Sequence, residues 1–389
     1  MFFIKTFNKI SNNGLDRFSR EHFEVASEIN RADALLLRSH KLTELDLNEG
    51  LKAIARAGAG VNNIPVQNCS DKGIVVFNTP GANANAVKEI VLAGLLLGSR
   101  DLVGGLQFVR TMSGMDETSM HAQAEQGKKQ FAGFELLGKT LGVVGLGAIG
   151  AQVANMALEL GMQVVGYDPA LSVESAWRLS SRIQRAENLA SLLNKSDFVT
   201  LHVPALDATK GMINADAIKQ LKQGAKLLNF ARETIVDQDA LIAALDSGAL
   251  AKYITDFPSP ELLARNDTLI FPHLGASTQE AEDNCATMAA DQLVEFLLNG
   301  NIKNSVNFPS IYLERATGYR LTFSNENVPK VLSSVLSLLA DKNINVIDML
   351  NKSRDRIAYN ILDLEQQPGE ELLHEIRNVS HVINVRLIA

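Results

Sequence analysis

The chain has 389 residues, 46% hydrophobic and 21% charged, and this composition excludes disorder, collagen-like repeats and a disulfide scaffold. Its 37 Lys and Arg against 44 Asp and Glu give a net charge of −7, which argues against a general nucleic-acid or membrane-surface binder. The two cysteines lack metal or disulfide spacing, and no apolar run approaches the roughly 18–20 residues that span a bilayer. We therefore expect a cytoplasmic protein without a metal site.

The first part of the chain alternates short apolar strands with amphipathic helices, a pattern typical of parallel βα units. Residues 34–37, 52–55 and 74–78 have the length and composition of strands. An Ala-, Leu- and Val-rich pattern then predicts one long helix from residue 84 to about 112. A polar stretch follows it, from 113 to 130.

A second βα series begins at Thr140. Six apolar runs separated by helical patterns predict a doubly wound parallel sheet, at residues 140–147, 163–168, 197–204, 225–231, 252–256 and 268–273. A helix over 281–298 comes next. It is expected to stop at Asn299-Gly300-Asn301, where the glycine suits a left-handed conformation.

The C-terminal region follows a connector at 304–318 and changes the order of elements. The pattern predicts βαββαβ, with elements at 319–324, 328–343, 344–350, 357–364, 369–378 and 382–388. This order is that of a ferredoxin-like unit of about seventy residues.

A glycine-rich motif, Gly145-Leu146-Gly147-Ala148-Ile149-Gly150, lies between a predicted strand and a predicted helix. In that context the glycines permit a tight turn, close approach of a pyrophosphate and close packing of helix on strand, so the motif predicts a dinucleotide site. Asp168, at the end of the next strand, is placed to accept hydrogen bonds from ribose hydroxyls. Because the carboxylate would repel a 2′-phosphate, NAD is favoured over NADP.

Several segments together resemble the D-isomer-specific 2-hydroxyacid dehydrogenases over almost the whole chain. The segments are ARAGAGVNNI (55–64), NTPGANANAVKEIVLAGLL (78–96), LGVVGLGAIG (141–150), LHVP (201–204), NFARETIVD (229–237), TDFPSPE (255–261) and PHLGAST (272–278). The resemblance implies an NAD-dependent oxidoreductase.

The same resemblance implies a catalytic set of Arg232, Glu261 and His273. Oxidising a secondary alcohol needs a base for the hydroxyl proton, and histidine titrates in the working pH range. A carboxylate beside it would stabilise the imidazolium, and a guanidinium can bind the substrate carboxylate bidentately. Two departures from the family pattern are Glu233, where glycine is usual, and the proline-rich loop before Glu261.

The resemblance also implies which residues line the cofactor and substrate. Besides the glycine loop and Asp168, the cofactor residues are Val203, Pro204, Phe230, Ala231, Arg232, Asp256, His273, Gly275 and Ala276, with Asp256 expected at the nicotinamide carboxamide. The substrate residues are Arg38, Arg56, the turn Gly58-Ala59-Gly60, and Arg232. The two first-domain arginines are expected to meet a phosphate group.

The resemblance implies three domains and a linker. Residues 1–88 and 277–304 are expected to form a discontinuous, flavodoxin-like substrate domain, 89–276 a Rossmann domain for NAD, and 305–316 a linker. Residues 317–389 resemble an ACT domain, with Asn327 and Asn345 where relatives bind serine and Lys330 where they have glycine. An L-serine effector site and a purely structural role in oligomerisation both remain open, and a homodimer or homotetramer is expected.

Within the family, the arginines and the ACT-like tail favour NAD-dependent oxidation of D-3-phosphoglycerate to 3-phosphohydroxypyruvate, the first step of L-serine biosynthesis. A sister enzyme that reduces glyoxylate or hydroxypyruvate is the first alternative. A non-catalytic NAD-sensing protein, like the transcriptional corepressors that share the fold, is the second. Retention of Arg232, Glu261 and His273 argues against the second alternative.

Overall fold

The computed structural model of the chain describes residues 1–316 and 318–388. It divides the chain into two compact units. The first joins Met1–Asn83 to the chain from Gln279 onward, and the second is Ala84–Thr278. None of the described helices is long and apolar enough to cross a membrane.

The first unit contains a five-stranded parallel sheet in the order β2-β1-β3-β4-β5, the flavodoxin-like order. Its elements are β1 (Phe2–Thr6), α1 (Asn12–Leu15), β2 (Phe23–Ala26), β3 (Ala34–Leu37), β4 (Ala53–Arg56), α2 (Val66–Asp71) and β5 (Val75–Phe77). The run Ala34–Leu37 is buried along its whole length, as expected of a strand covered on both faces.

The chain returns to this sheet through α12 (Gln279–Asn299), whose buried face joins the same apolar core. An added Cβ at Gly14 would lie 2.6 Å from Ala286 of α12, so α1 and α12 pack with almost no space between them. Gly300 ends the helix with a φ of +74°, which confirms the predicted left-handed stop. We call β1–β5, α1, α2 and α12 the N-terminal lobe.

The C-terminal part of the first unit has the predicted βαββαβ order. Its elements are β13 (Tyr319–Glu326), α13 (Val331–Asp341), β14 (Val346–Arg354), β15 (Ile357–Leu364), α14 (Glu370–Arg377) and β16 (Val382–Ile388). The sheet is antiparallel in the order β14-β15-β13-β16. Residues 317 and 389, at the ends of the predicted C-terminal domain, lie outside the described residues.

The C-terminal sheet is joined to the N-terminal lobe by polar contacts at the end of α12. Arg320 lies fully buried and pairs with Asp363, and its Nη1 donates to the carbonyl of Asn299 at 2.9 Å. The Tyr359 hydroxyl donates to the carbonyl of Gly300, also at 2.9 Å. Because a helix C-terminus leaves carbonyls without partners, these donors satisfy the end of α12 while fixing the sheet against it.

The second unit contains a seven-stranded parallel sheet in the order β12-β11-β10-β9-β6-β7-β8. Its strands are β6 (Thr140–Val144), β7 (Gln163–Tyr167), β8 (Gln184–Arg185), β9 (Phe198–Leu201), β10 (Ala225–Asn229), β11 (Leu250–Thr255) and β12 (Thr268–Ile270). Its helices are α3 (Ala84–Ser99), α4 (Leu102–Arg110), α5 (Glu117–Gly127), α6 (Ala148–Glu159), α7 (Val173–Ala176), α8 (Leu189–Leu193), α9 (Ala215–Ile218), α10 (Gln238–Asp246) and α11 (Pro260–Leu263). The direction of the strand order reverses between β6 and β9, which makes the sheet doubly wound as predicted.

The prediction of one helix over 84–112 is wrong. Helix α3 ends at Ser99 and a separate helix, α4, begins at Leu102. The break occurs because Asp101 caps α4 by accepting from the N–H of Gly104 at 3.0 Å. Within the polar stretch 113–130 the structure has α5, which Asp116 caps. Strands β1, β2 and β8 were not predicted.

Candidate active site

The predicted site residues of the second unit lie along one edge of its sheet. Each follows the carboxyl end of a parallel strand: Gly145 follows β6, Asp168 follows β7, Val203 follows β9, Arg232 follows β10, Asp256 follows β11 and His273 follows β12. Ligands of open α/β sheets bind at this edge, beside the point where the strand order reverses.

The glycine loop has the geometry of a pyrophosphate cradle. Gly145 has a φ of +88°, and a Cβ there would lie 2.6 Å from the carbonyl oxygen of His202. A Cβ at Gly150 would lie 1.9 Å from the carbonyl oxygen of Gly145, so helix and strand touch there. Gly147, the N-cap of α6, faces open space, which leaves room for phosphates at the helix N-terminus. The loop therefore fits a dinucleotide.

Asp168 is bonded to the loop in this structure. Its Oδ2 accepts from the N–H of Leu146 and its Oδ1 from the N–H of Ala170, at 2.8 and 2.9 Å. The carboxylate therefore orders the glycine loop, a role that the sequence did not suggest. A carboxylate oxygen has more than one lone pair, so both oxygens can still accept from ribose hydroxyls.

His202 lies beneath the glycine loop and was not predicted as a functional residue. Its Nε2 lies 2.9 Å from Oγ1 of the buried Thr200, and the Cβ of His202 would be 3.4 Å from a Cβ at Gly150. Desolvation by the surrounding protein lowers the pKa of His202 to about 3. The ring is therefore neutral at physiological pH and supports the loop without adding charge.

Asp256 joins β11 to the loop that carries His273. Its carboxylate is 2% exposed and accepts from the N–H groups of Leu274 and Gly275, at 2.8 and 2.7 Å. His273 itself is exposed, has a φ of +55° and packs edge-on against Phe257, with ring centroids 5.4 Å apart. Both carboxylate oxygens of Asp256 already accept from the loop that carries His273. The predicted contact with the nicotinamide carboxamide would be an additional hydrogen bond to one of these oxygens.

Arg232 and Glu261 are both exposed at the same edge. Nη1 of Arg232 donates to the carbonyl of Ala231 at 2.6 Å, and the adjacent Glu233 is exposed as well. Glu261 accepts from the side-chain amide of Gln238 at 3.0 Å. Hydrogen bonding by its own backbone N–H, by the Ser259 side chain and by Gln238 holds the pKa of Glu261 below the usual value. Among the described residues, no hydrogen bond or ion pair joins Glu261 to His273.

The predicted substrate arginines lie in the first unit, at the ends of neighbouring strands. Arg38 follows β3 and Arg56 ends β4, where Leu37 pairs with Arg56 in the parallel register. Nε of Arg56 donates to the carbonyl of Arg38 at 2.9 Å. Nη1 of Arg38 lies 2.6 Å from Oε1 of Glu282, a residue of α12 that the sequence did not point to.

The turn Gly58-Ala59-Gly60 lies beside Arg56. A Cβ at Gly58 would lie 2.5 Å from Nη1 of Arg56, so the guanidinium rests against the turn. The side chain of Asn78 donates to the carbonyl of Ala59 at 2.6 Å, and the N–H of Thr79 donates to the carbonyl of Gly58 at 3.1 Å. These bonds fix the turn against the start of the segment that leads out of the lobe.

The other predicted residues are divided between the sheet edge of the second unit and the C-terminal sheet region. Val203 and Pro204 form the loop after β9, and Phe230 with Ala231 and Gly275 with Ala276 lie next to Arg232 and His273. Asn327 and Asn345 are exposed in the C-terminal sheet region, where the Asn327 side chain donates to the carbonyl of Asp355 at 3.3 Å. Lys330 has a φ of +77°, a conformation that favours glycine. Within the described part of the chain, no group of three or more His, Cys, Asp or Glu side chains could hold a metal ion.

Residues 104–275 match the family model for the NAD-binding domain of the D-isomer specific 2-hydroxyacid dehydrogenases. The D-3-phosphoglycerate dehydrogenase of Escherichia coli strain K12 is 33% identical over 383 residues, covering 94% of this chain and 89% of that protein. The D-3-phosphoglycerate dehydrogenase of Haemophilus influenzae is 31% identical over 384 residues, covering 94% of this chain and 88% of that protein.

Solved structures are similar over most of the chain. The NAD⁺-bound 3-phosphoglycerate dehydrogenase of Entamoeba histolytica is 28% identical with a TM-score of 0.62, covering 80% of this chain and 99% of that one. The holo D-mandelate dehydrogenase of Rhodotorula graminis has a TM-score of 0.68 at 23% identity, a likeness of fold alone.

Proposed function

The chain belongs to the D-isomer-specific 2-hydroxyacid dehydrogenases, and we propose that it oxidises D-3-phosphoglycerate to 3-phosphohydroxypyruvate, the first step of L-serine biosynthesis. It is an oxidoreductase that uses NAD. The observation that carries the substrate assignment is the 33% identity to a D-3-phosphoglycerate dehydrogenase across 94% of the chain.

In the proposed reaction, His273 removes the proton from the C2 hydroxyl as the C2–H bond breaks. Bound NAD supplies the acceptor for the hydride that leaves C2. Arg232 binds the substrate carboxylate through its planar guanidinium and so fixes the orientation of C2. Arg232 and His273 are both exposed, and they follow β10 and β12, the strands on either side of β11; these positions support this division of roles.

Glu261 is proposed to support His273 during turnover. Its carboxylate is exposed, and its hydrogen bond from the side-chain amide of Gln238 can be exchanged for one from an imidazolium that forms nearby. A negative charge beside a histidine favours the protonated ring, and so it would favour proton removal from the substrate. Glu261 is therefore expected to leave Gln238 when the site is loaded.

Arg38 and Arg56 are proposed to bind the phosphate of the substrate, and the backbone N–H groups of the Gly58-Ala59-Gly60 turn to bind its carboxylate. The hydrogen bond of Arg56 to the carbonyl of Arg38 keeps the two arginines adjacent. A phosphate dianion attracts such a pair strongly, whereas lactate or glycerate has no second anionic group besides the carboxylate that Arg232 binds. The proposed preference for a phosphorylated substrate rests on these arginines.

The proposed preference for NAD over NADP rests on Asp168. Its carboxylate stands at the end of β7, where it would repel a 2′-phosphate.

The C-terminal sheet is proposed to be an ACT-like domain that joins subunits in a homodimer or homotetramer. Its βαββαβ order and the left-handed Lys330 support that assignment, while binding of L-serine at Asn327 and Asn345 stays a prediction. The cytoplasmic location and the division at residues 89, 277 and 305 also stay predictions.

The test follows NADH absorbance with purified protein, NAD and D-3-phosphoglycerate at alkaline pH. Glycerate, lactate and 2-hydroxyglutarate run in parallel, with and without L-serine. Turnover that is fastest with the phosphorylated acid supports the proposal. Turnover only with an unphosphorylated acid makes the protein a sister dehydrogenase, and NAD binding without turnover of any acid makes it a sensor.

A further inference from the structure

The proposed phosphate site contains one carboxylate that a phosphate-binding role does not require. Glu282 lies in the first turn of α12, and its Oε1 is 2.6 Å from Nη1 of Arg38. Both side chains are 40% exposed, so the ion pair stands open to solvent rather than buried in the core. A ligand that approaches Arg38 from solvent therefore meets Glu282 beside it.

The charges of Arg38, Arg56 and Glu282 all act on Cys285, near the start of α12. Burial raises the pKa of the Cys285 thiol, one turn beyond Glu282; the charges of Arg38 and Arg56 lower it, and that of Glu282 raises it again. Glu282 thus shares its surroundings with both arginines. One of the two positive charges offered to a phosphate is already balanced by a carboxylate.

From this arrangement, and resting on the proposed function, we infer that Glu282 sets the affinity for the phosphate end of the substrate by competing for Arg38. A bound phosphate would bring a charge of about −1.5 to −2 next to the carboxylate, and like charges repel. The dipole of α12 favours a negative charge at its N-terminus, which holds the carboxylate of Glu282 in place beside Arg38. Glu282 is therefore a specificity-determining residue that weakens phosphate binding.

The matched variants are Glu282→Gln and Glu280→Gln. Both remove one negative charge from the first turn of the same helix, but Glu280 is exposed and no described contact joins it to Arg38. In Glu282→Gln the amide oxygen can still accept from Arg38, so the packing is kept while the competing charge is lost. Any effect of net charge alone appears in both variants.

Glu282→Gln is expected to lower both the KM for D-3-phosphoglycerate and the inhibition constant of inorganic phosphate by about two- to fivefold. Its kcat and its KM for NAD should stay at the wild-type values. Glu280→Gln should match the wild type in all four constants. An unchanged or raised KM for D-3-phosphoglycerate in Glu282→Gln would overturn the inference.

A second readout does not depend on turnover. Inorganic phosphate is added to each protein, and the rise in melting temperature measures its binding. A larger rise for Glu282→Gln than for the wild type and Glu280→Gln supports the inference even if D-3-phosphoglycerate is not a substrate, in which case only the proposed function fails. Equal rises, or no rise in any of the three proteins, would count against it.

Discussion

The carboxylate of Asp256 accepts a hydrogen bond from the backbone N–H of Gly275 at 2.7 Å, and this bond ties the end of β11 to the loop after His273. The neighbouring N–H of Leu274 donates to the other oxygen at 2.8 Å. A Cβ at Gly275 would lie 2.9 Å from that carboxylate, so no larger residue fits in its place. Since His273 holds a left-handed backbone immediately before this bond, Asp256 acts as its positioning residue.

Replacing Asp256 with Asn tests that role. The amide has one acceptor for two N–H donors, so one hydrogen bond to a charged group is lost, worth about 1.5–3 kcal/mol. We expect kcat to fall by about tenfold or more, with a smaller change in the KM for NAD, in steady-state assays. Asp246→Asn, which removes an exposed carboxylate that pairs with Arg265, is the control and should keep wild-type kcat. A fully active Asp256→Asn would contradict the role.

His273→Asn tests the proposed base. Loss of a positioned base lowers kcat by about 10²–10⁴-fold, while the cofactor site at the glycine loop is untouched. We therefore expect NAD binding, measured by calorimetry, to be retained. Full activity of this variant would show that His273 is not the base.

Glu261→Gln tests whether Glu261 leaves Gln238 for His273 during turnover. A nearby carboxylate raises the pKa of a histidine, and the neutral ring is the active base. Removing the charge should therefore move the rising, acidic limb of the kcat/KM profile to lower pH and reduce kcat. Gln238→Ala, which frees Glu261, is expected to leave the limb in place or move it upward. A profile for Glu261→Gln that overlays the wild type would mean that Glu261 stays with Gln238.

Much of the fold was predictable because most of its strands are short apolar runs that are recognisable in the sequence. Strands β3, β6 and β10 were predicted to within a few residues at their ends, since each is buried on both faces. The break between α3 and α4 was missed because it depends on a single side chain: the capping bond of Asp101 competes with a continuous apolar pattern. β8 has only two residues and carries no pattern.

The sequence predicted which residues belong to the candidate site, but it did not predict their hydrogen-bond and ion-pair partners. The spacing of the glycines in the loop follows from the backbone conformation that the loop adopts. The roles of Gly145 and Gly150 could therefore be assigned from sequence alone. The partners of Asp168 and Asp256 are backbone N–H groups, which every residue possesses and no sequence pattern reveals. The contact of Arg38 with Glu282 joins residues more than two hundred positions apart, and no spacing rule reaches that far.

Asp168→Ser tests cofactor choice and loop order together. Loss of the carboxylate removes the repulsion of a 2′-phosphate, so the ratio of kcat/KM for NAD to that for NADP should fall by about tenfold or more. Because the variant also loses the acceptor for Leu146, binding of NAD itself should weaken. An unchanged ratio in paired assays with the two cofactors would remove Asp168 from the recognition of the ribose.

The depressed pKa of His202, about 3, makes the second unit sensitive to acid. An unfolded chain binds a proton at His202 near pH 6.5, whereas the folded chain does so only near pH 3, so the stability from this group falls as the pH drops between those values. The loss is up to about 1.4 kcal/mol per pH unit in the free energy of unfolding. Urea unfolding at several pH values should show a steeper loss for the wild type than for His202→Asn. If the stability of the two proteins falls in parallel as the pH is lowered, the acid sensitivity comes from groups other than His202.

The buried pair of Arg320 and Asp363 should be indispensable for the attachment of the C-terminal sheet. Nε and Nη2 of Arg320 donate to the two carboxylate oxygens at 2.6 and 2.9 Å, and both side chains are fully buried. Burial alone would raise the pKa of Asp363, but the hydrogen bonds and charge of Arg320 outweigh it and hold the pKa below the usual value. This stabilisation is therefore present above the unfolded pKa near 3.8 and is lost as the pH falls through the lower folded value.

Asp363→Asn leaves the guanidinium of Arg320 buried without its counter-charge, at a cost of about 3–5 kcal/mol in the free energy of unfolding. The double variant Arg320→Met with Asp363→Leu removes both charges, and should be more stable than Asp363→Asn alone because no unpaired ion is left. Chemical unfolding of the three proteins measures the order. Since Nη1 of Arg320 also holds the carbonyl of Asn299 at the end of α12, limited proteolysis near residue 300 should become faster in the double variant, which lacks that guanidinium. If Asp363→Asn unfolds like the wild type, the pair does not carry the attachment, and the contact of Tyr359 with Gly300 is the next to remove.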